Sequence, residues 1–442
     1  MEESKSFLTK ALKYLRRGDF SQVESLCLQV LQHEPENARA WHLCGIVHAR
    51  QNKLERATEC FENAVEFDAS VANYHYNLGL AYRKLKRFDD AINAYRAAIE
   101  RKANFLEAHN NLGNTLIEKG DVGEGIECFR NLVEQFPDCS IGYYNLGNVL
   151  QDAGKLEDSI AQFYRAIEWD PDFSSARENL GRTFCDVKRY EEAIQVWNLW
   201  LEHDPNNAVA RHMIASVTGE NTPVRCDDDY VRETFHKDFA RMYEQQLAHL
   251  EYKVPGLIGD AIKSLNTRLV DLYVLDAGCG TGLCSPVLRP LARRLVGVDL
   301  SSAMLVEAEK RKTYDELLED ELTRYLVSQP SSYDLIVSGD TLCYFGDLNE
   351  VCVMTFQCLR DNGFMIFTVE CNKSTDEDQR YELQPNGRYQ HAEPYIRRTL
   401  TESGFAVLRT IYATLRLERG RAVEGLVVIA QRWDRYSRVG PD

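Results

Sequence analysis

The stretch 272–283 holds the residues of this chain that are best placed for chemistry. It reads LYVLDAGCGTGL: an apolar run ends at Asp276, and three glycines follow at alternate positions, Gly278, Gly280 and Gly282. This pattern is typical of a buried parallel strand that turns tightly into a helix. Glycine tolerates unusual dihedral angles, and without a Cβ its backbone can approach a ligand closely. The pattern therefore predicts a ligand site at the carboxyl end of a strand and the amino end of the next helix.

Acidic residues follow the glycine turn at positions that suit a nucleoside. Asp299 ends the apolar run LVGVDL and lies 19 residues after Gly280, where a carboxylate can accept hydrogen bonds from both ribose hydroxyls. Either Asp320 or Glu321 can accept a hydrogen bond from an exocyclic adenine amine. Asp340 follows the predicted strand YDLIVS.

Two common phosphate-binding motifs do not fit the glycine turn. A dinucleotide-binding turn needs GxGxxG, but Leu283 occupies the place of the third glycine. A P-loop ends in Gly-Lys-Ser or Gly-Lys-Thr, which is absent from this stretch.

Composition limits the class of protein. The 442 residues allow two or three domains, and the net charge of −16 argues against a nucleic-acid partner. No run approaches the roughly 18 apolar residues of a membrane span, and the charged start MEESKSFLTKALKYL is unlike a secretory signal. The 13 cysteines form no CxxC pairs, which predicts reduced thiols, a cytoplasmic location and no metal site.

Residues in the first half recur every 34 positions. One recurring place holds glycine: Gly45, Gly79, Gly113, Gly147 and Gly181. Another holds mostly large aromatic side chains: Cys27, Phe61, Tyr95, Phe129, Phe163 and Trp197. Each unit is predicted to be a pair of helices separated by a turn. The pattern resembles the tetratricopeptide repeat family, with Ala11 replacing the glycine in an atypical first unit.

Asparagine recurs with the same period immediately before Leu-Gly, at Asn77, Asn111, Asn145 and Asn179. The resemblance implies that these residues lie on the first helix of each unit and face the concave surface. A column of side-chain amides can hydrogen-bond the backbone of an extended peptide, which predicts a protein or peptide partner. An equally weighted alternative is that asparagine at this place serves packing between helices.

These patterns divide the chain into three parts. Residues 1–217 are predicted to be six repeats and a closing helix, 218–229 a polar linker, and 230–442 lid helices with a second domain. The apolar stripe of residues 230–250 favours core packing, while Phe239 and Tyr243 are alternatives for closing the pocket. The segments 405–417 and 423–432 predict a terminal antiparallel hairpin.

The second domain resembles the class I S-adenosylmethionine-dependent methyltransferases. The resemblance is carried by VLDAGCGTGL, VGVDLSSAML, YDLIVSGDTLCYF and the terminal hairpin. Together with FHKDFARMYE and YELQPNGRYQHAEPY, it extends to bacterial-type methyltransferases that contain tetratricopeptide repeats, although His236 and Phe239 depart from their lid pattern. The implied fold is an all-α helical-repeat solenoid followed by an α/β Rossmann-like domain.

The resemblance also implies a cofactor, S-adenosylmethionine, and the residues that bind it. Asp276 and the glycine turn would face the methionine part, Asp299 the ribose, and Asp320 or Glu321 the adenine. The full set is Asp276, Gly278, Cys279, Gly280, Gly282, Asp299, Leu300, Asp320, Glu321 and Asp340.

Three residues are candidates for the methyl-transfer step: Asp340, Tyr344 and His391. Asp340 would stand near the transferred methyl group. His391, in a predicted polar loop, is a candidate base or simply a surface residue, and Arg388 in the same loop is a candidate clamp for a carboxylate. Asp340 is followed by Thr-Leu-Cys-Tyr, so the Pro-Pro-Tyr or Pro-Pro-Phe signature of nucleic-acid amino methyltransferases is missing.

The sequence thus predicts a methyltransferase whose acceptor is a protein or is delivered by a partner bound to the repeats. The first alternative is a small-molecule O-, N- or C-methyltransferase in which the repeats serve as a scaffold. The second is an inactive scaffold, which the intact glycines and Asp299 disfavour.

Overall fold

The structure, a computed structural model, describes residues 2–235, 240, 243, 247, 250–265, 267, 269–372, 380–418 and 420–433. The chain forms two compact units, Met1–Thr183 and Phe184–Asp442. Phe239, a predicted lid residue, lies outside the described residues, as does His236.

The first unit consists of antiparallel helix pairs, which confirms the predicted helical-repeat fold. Its helices are α1 Glu2–Arg17, α2 Phe20–His33, α3 Ala38–Arg50, α4 Leu54–Phe67, α5 Ala72–Lys84, α6 Phe88–Arg101, α7 Leu106–Lys119, α8 Val122–Gln135, α9 Ser140–Asp152 and α10 Leu156–Trp169. The next helix, α11 Ser174–Asp186, runs across the boundary in sequence.

The recurring glycines bring the two helices of a repeat close together. A Cβ built on Gly113 would lie 2.7 Å from the ring of Phe129, and one on Gly79 would lie 2.6 Å from the ring of Tyr95. Since such distances are shorter than van der Waals contact, a larger residue would force the helices apart. The 34-residue period of glycine therefore follows from the packing of the repeat.

The recurring asparagines bridge neighbouring repeats. Their side-chain amides donate to polar atoms on the first helix of the preceding repeat: Asn77 to His42 Nε2, Asn111 to Tyr76 Oη, Asn145 to Asn110 Oδ1 and Asn179 to Asn148 Oδ1, at 2.7–3.0 Å. These hydrogen bonds between repeats provide the helix packing that the sequence analysis gave as the alternative to peptide binding. The Oδ1 atoms of Asn77 and Asn145 accept no hydrogen bond from any residue that the structure describes, so the same side chains keep an acceptor for a bound chain.

The second unit begins with helices and continues as alternating strands and helices. Its helices are α12 Tyr190–His203, α13 Ala208–Thr218, α14 Asp228–Thr234, α15 Val254–Lys263, α16 Ser285–Leu288, α17 Ser302–Glu309, α18 Leu322–Val327, α19 Asn349–Cys358 and α20 Glu393–Glu402, with 3-10 turns at Arg289–Leu291 and Leu342–Tyr344. Its strands are β1 Leu272–Ala277, β2 Ala292–Asp299, β3 Glu316–Glu319, β4 Tyr333–Ser338, β5 Leu359–Cys371, β6 Tyr381–Leu383, β7 Tyr389–His391, β8 Phe405–Glu418 and β9 Arg421–Arg432.

The strands form one mixed sheet in the order β3-β2-β1-β4-β5-β7-β6. The strands from β3 to β7 in this order are parallel, and β6 is antiparallel to β7. The predicted antiparallel hairpin is confirmed: β8 pairs with β9, and β9 lies antiparallel to β5. Both faces of the central strands are buried against apolar side chains, which explains their continuous apolar runs. Because the carboxyl ends of parallel strands meet at one edge, the residues that follow β1, β2, β3 and β4 are brought together there.

Three further features of the described residues concern membrane spans, metal ligands and cysteines. Within the described ranges no helix combines the length and the apolar character needed to cross a membrane. In the same ranges no cluster of three or more His, Cys, Asp or Glu side chains is arranged to hold a metal ion. Twelve of the 13 cysteines are buried, where a thiol packs as a small apolar side chain.

Candidate cofactor site

A pocket lies at the carboxyl ends of β1 to β4. It encloses about 980 Å³ of empty space, open solvent at its mouth included. Ten residues predicted from the sequence line it: Asp276, Gly278, Cys279, Gly280, Asp299, Leu300, Asp320, Glu321, Asp340 and Tyr344. The sheet edge therefore gathers most of the predicted site in one place.

The three glycines of the turn have different surroundings. All three have positive φ, at +74° for Gly278, +53° for Gly280 and +80° for Gly282. A Cβ on Gly278 would clash with the Thr341 side chain at 2.3 Å, whereas one on Gly280 would meet no atom of the described residues within 4 Å. Gly282 lies against Tyr314 and is not among the described residues that line the pocket, so its contact with the cofactor stays a prediction.

The Asp299 carboxylate is fixed in orientation by backbone donors. Its Oδ2 accepts a hydrogen bond from Gly280 N and its Oδ1 accepts one from Ser301 N, both at 2.8 Å. Burial raises the pKa of Asp299, and these two N–H groups oppose the shift. Each oxygen keeps a second lone pair, so the carboxylate can still accept two further hydrogen bonds.

The neighbouring acids Asp320 and Glu321 differ in availability. Glu321 caps α18: its Oε1 accepts from Thr323 N at 3.0 Å, and its Oε2 accepts from Thr323 Oγ1 at 2.6 Å and Arg324 N at 2.9 Å. Asp320 uses Oδ1 for Glu321 N at 2.8 Å and for Arg324, and no described residue donates to its Oδ2. Asp320 therefore has the freer oxygen toward the pocket.

Aromatic rings and one carboxylate form the end of the pocket near β4. Phe235 meets Tyr243 and Tyr344 edge-on, with ring centroids 6.1 and 5.6 Å apart. Asp340, at φ +59°, donates its backbone N–H to Thr368 Oγ1 at 2.8 Å. Burial raises the pKa of Asp340 to about 6, which leaves the carboxylate ionised at neutral pH. Tyr243, an alternative lid residue in the sequence, lines this end.

Sequence reasoning missed the wall formed by residues 224–226, which fall in the predicted linker. Cys226 N donates to the Tyr344 carbonyl oxygen at 2.8 Å, and Gly346 N donates to that of Val224 at 2.9 Å. These contacts place Arg225 and Cys226 against the pocket. The turn-rich composition of this segment did not indicate the pairing, because the segment with which it pairs, 344–346, lies more than a hundred residues later.

His391 does not lie in the predicted polar loop and does not line the pocket. It belongs to β7, is fully buried, and its Nε2 lies 3.1 Å from the Gly346 carbonyl oxygen. Burial lowers the pKa of His391 to about 4. The structure thus corrects the candidate base to a neutral core side chain that donates to a loop beside Tyr344.

We expect His391 to make the protein sensitive to acid. Below its ordinary pKa the unfolded chain binds a proton that the folded chain takes up only near pH 4. Between pH 7 and 4.5 this difference should cost about 2–3 kcal/mol of unfolding free energy. Urea titrations at both pH values should show that His391→Gln, which keeps a donor but does not titrate, loses that much less than the wild type. Parallel losses in the two proteins would contradict the assignment.

Comparisons with known proteins agree with this geometry. A methyltransferase domain family matches residues 248–410, and two tetratricopeptide repeat families match residues 110–172 and 150–217. The C-terminal ARM domain of tetratricopeptide repeat protein 21 matches residues 2–112. The chain therefore combines tetratricopeptide repeats with a methyltransferase domain.

Individual relatives are distant. Malonyl-(acyl-carrier protein) O-methyltransferase of Yersinia pestis is 28% identical over 119 residues, 27% of this chain and 44% of the relative. The 18S rRNA (guanine-N(7))-methyltransferase of Bos taurus is 38% identical over 78 residues, 18% of this chain and 28% of the relative. The crystal structure of a putative S-adenosylmethionine-dependent methyltransferase from Listeria monocytogenes is 21% identical with a TM-score of 0.34, covering 40% of this chain and 100% of that one. The matches span less than half the length of both named enzymes, whose acceptors differ.

The residues of the pocket fit S-adenosylmethionine. The space in front of Gly280 allows a ligand to approach the backbone, since a Cβ there would meet no atom within 4 Å in the part of the chain that the structure describes. Thr281 lines the same pocket, and its buried Oγ1 has no hydrogen-bond partner among the described residues. An unmatched buried hydroxyl beside an open glycine is the arrangement expected where a polar ligand completes the hydrogen bonding.

Proposed function

We propose that this protein is an S-adenosylmethionine-dependent methyltransferase whose acceptor is a protein, or is delivered by one, bound to the repeats. The observation that carries the proposal is the row of acids along the sheet edge. Asp320, Asp299 and Asp340 follow β3, β2 and β4, with the glycine turn of β1 between the last two. This order matches the order of adenine, ribose and sulfur in the cofactor.

Each acid has a role that its contacts allow. Asp320, with its free Oδ2, accepts from the adenine amine, while Glu321 holds α18 in place. Asp299 accepts from the two ribose hydroxyls with the lone pairs that Gly280 and Ser301 leave free. Asp276, Gly278 and Cys279 face the methionine part, beside Leu300 at the ribose.

The residues near β4 orient the reactants and exclude water. S-adenosylmethionine supplies a sulfonium-bound methyl group that is transferred by in-line displacement. Phe235, Tyr243 and Tyr344 form an aromatic wall that keeps solvent from the reacting end, where alignment contributes much of the rate. Asp340 is the ionised group available there to accept a proton from the acceptor.

The repeats favour an acceptor that arrives with a polypeptide. The asparagine column runs through four successive repeats, and its members Asn77 and Asn145 keep free acceptor oxygens. An extended backbone can donate to such oxygens without its sequence being read. The proposed partner is therefore a protein segment on the concave face.

We expect Asn77→Ala with Asn145→Ala to weaken partner capture roughly 30-fold, because two hydrogen bonds of roughly 1 kcal/mol each are lost. The bridges to His42 and Asn110 are lost as well, so a small drop in melting temperature should accompany the change. The measurement is quantitative recovery of proteins from extract on immobilised full-length chain. A pair of exposed asparagines on second helices, Asn93→Ala with Asn131→Ala, is the matched control. Equal recovery by both double variants would contradict a binding role.

The nature of the acceptor is tested by incubating the full-length chain with extract and methyl-labelled S-adenosylmethionine, then separating macromolecules from metabolites. Label in protein, or in a small group attached to protein, is the expected result. Label confined to free metabolites would favour the alternative in which the repeats serve as a scaffold. Label in RNA would contradict the expectation, drawn from the net charge of −16, that the partner is not a nucleic acid. No transfer to any fraction would favour an inactive domain.

A further inference from the structure

A buried cluster of charged side chains lies behind the β4 end of the pocket. At its centre is Arg416 on β8, whose side chain is 1% exposed. Its Nη1 donates to Asp340 Oδ1 and Oδ2 at 3.1 and 3.3 Å, its Nε donates to Glu418 Oε1 at 2.7 Å, and its Nη2 donates to Glu370. Of these residues only Asp340 lines the pocket. The guanidinium is therefore out of reach of a ligand and acts on the pocket through Asp340.

The charges of the cluster leave Asp340 ionised. Three carboxyl groups share two guanidinium groups, since Arg388 Nη1 lies 3.3 Å from Glu370 Oε1 and 3.0 Å from Glu418 Oε1. Glu370 is 1% exposed, its Oε2 has no partner among the described residues, and burial raises its pKa to about 8. The Asp340 carboxylate lies on the pocket side of the Arg416 guanidinium, and this ion pair favours its charged form.

We infer that Arg416 is a positioning residue that fixes the Asp340 carboxylate at the sulfur end of the pocket, where this charge favours the sulfonium of S-adenosylmethionine over the neutral thioether of S-adenosylhomocysteine. The inference rests on the proposed function. The two molecules share adenine, ribose and amino-acid groups and differ in the methyl group and its positive charge. A carboxylate near the sulfur separates them more strongly than one elsewhere in the pocket, because the Coulomb energy falls with distance.

The sheet order supports this placement. Asp299, which follows β2, lies on one side of the β1 turn, and Asp340, which follows β4, lies on the other. A nucleoside held by Asp320 and Asp299 in this order would extend its sulfur across the β1 turn toward Asp340. One nitrogen, Nη1, donates to both oxygens of Asp340, while Nε and Nη2 hold the guanidinium against Glu418 and Glu370, anchors that a lysine would lack.

The test is calorimetric titration of the full-length chain with S-adenosylmethionine and with S-adenosylhomocysteine. Arg416→Gln removes the cation that favours the charged form of Asp340, so this buried carboxyl takes up a proton. The ratio of the Kd for S-adenosylhomocysteine to the Kd for S-adenosylmethionine should then fall at least fivefold, chiefly through weaker binding of the sulfonium compound. Asp340→Asn should reduce the ratio equally, and the double variant should reduce it no further, because both changes remove one interaction. Arg409→Gln, an exposed arginine on the same strand, should keep the wild-type ratio.

Other outcomes overturn the inference. An equal loss of affinity for both compounds would mean that Asp340 interacts with a group that the two compounds share. An unchanged ratio would mean that Arg416 does not position Asp340. If Arg416→Gln fails to fold, Arg416→Lys replaces it: the ratio should fall about two- to fivefold, and a wild-type ratio would again overturn the inference. Failure of the wild type to bind either compound would instead overturn the proposed function.

Discussion

Asp299→Ala is expected to weaken S-adenosylmethionine binding at least 100-fold. In the proposed site this carboxylate accepts hydrogen bonds from two ribose hydroxyls, and hydrogen bonds to a charged acceptor contribute about 1.5–3 kcal/mol each. A total loss of about 3 kcal/mol corresponds to roughly 100-fold in Kd. The carboxylate cannot be replaced by a neighbour, because Gly280 N and Ser301 N at 2.8 Å hold it in a single orientation.

The measurement for Asp299→Ala is calorimetric titration, with thermal unfolding to confirm the fold. Asp260→Ala is the matched control: its side chain is 77% exposed on α15 and pairs only with Lys263 at 3.3 Å among described residues. Asp299→Asn keeps one oxygen for a backbone donor and should fall between the alanine variant and the wild type. Wild-type affinity in the alanine variant would remove Asp299 from the cofactor site.

Gly280→Val is expected to abolish measurable cofactor binding with little loss of stability. Among the described residues no atom lies within 4 Å of the added Cβ, so the side chain occupies the space in which the ligand approaches the backbone. The φ of +53° costs a non-glycine residue about 1–2 kcal/mol, which should lower the melting temperature by a few degrees. Binding should fall far more than stability.

The neighbouring glycine gives the opposite result and serves as the control. A Cβ on Gly278 would lie 2.3 Å from the Thr341 side chain, so Gly278→Ala should mainly destabilise the fold. Thermal unfolding and titration of both variants separate the two effects. If Gly280→Val bound the cofactor normally, the open space at this glycine would have no part in binding.

Local sequence patterns were sufficient to predict the fold. They were also sufficient to predict which residues follow directly after the parallel strands at the edge of the sheet. The 34-residue period reflects a glycine pressed against an aromatic ring in each repeat, as at Gly113 and Phe129. Asp299 was predictable because its strand ends where every parallel strand of the sheet ends. Such features follow from periodicity and from strand direction alone.

Features that depend on distant pairings were not predictable from the sequence. Arg225 reaches the pocket because its segment pairs with Phe345, and Arg416 reaches Asp340 across 76 residues. His391 was predicted in a loop because its polar neighbours masked a short strand, and burial in that strand removes it from base chemistry. In each case the side chain's environment is supplied by another part of the chain.

The most direct test of the central claim is equilibrium dialysis of the full-length chain against labelled S-adenosylmethionine. We expect one molecule bound per chain, displaced by unlabelled S-adenosylhomocysteine and lost in Gly280→Val. Binding to the Gly280→Val chain equal to that of the wild type, or no saturable binding by the wild type, would contradict the assignment of this pocket.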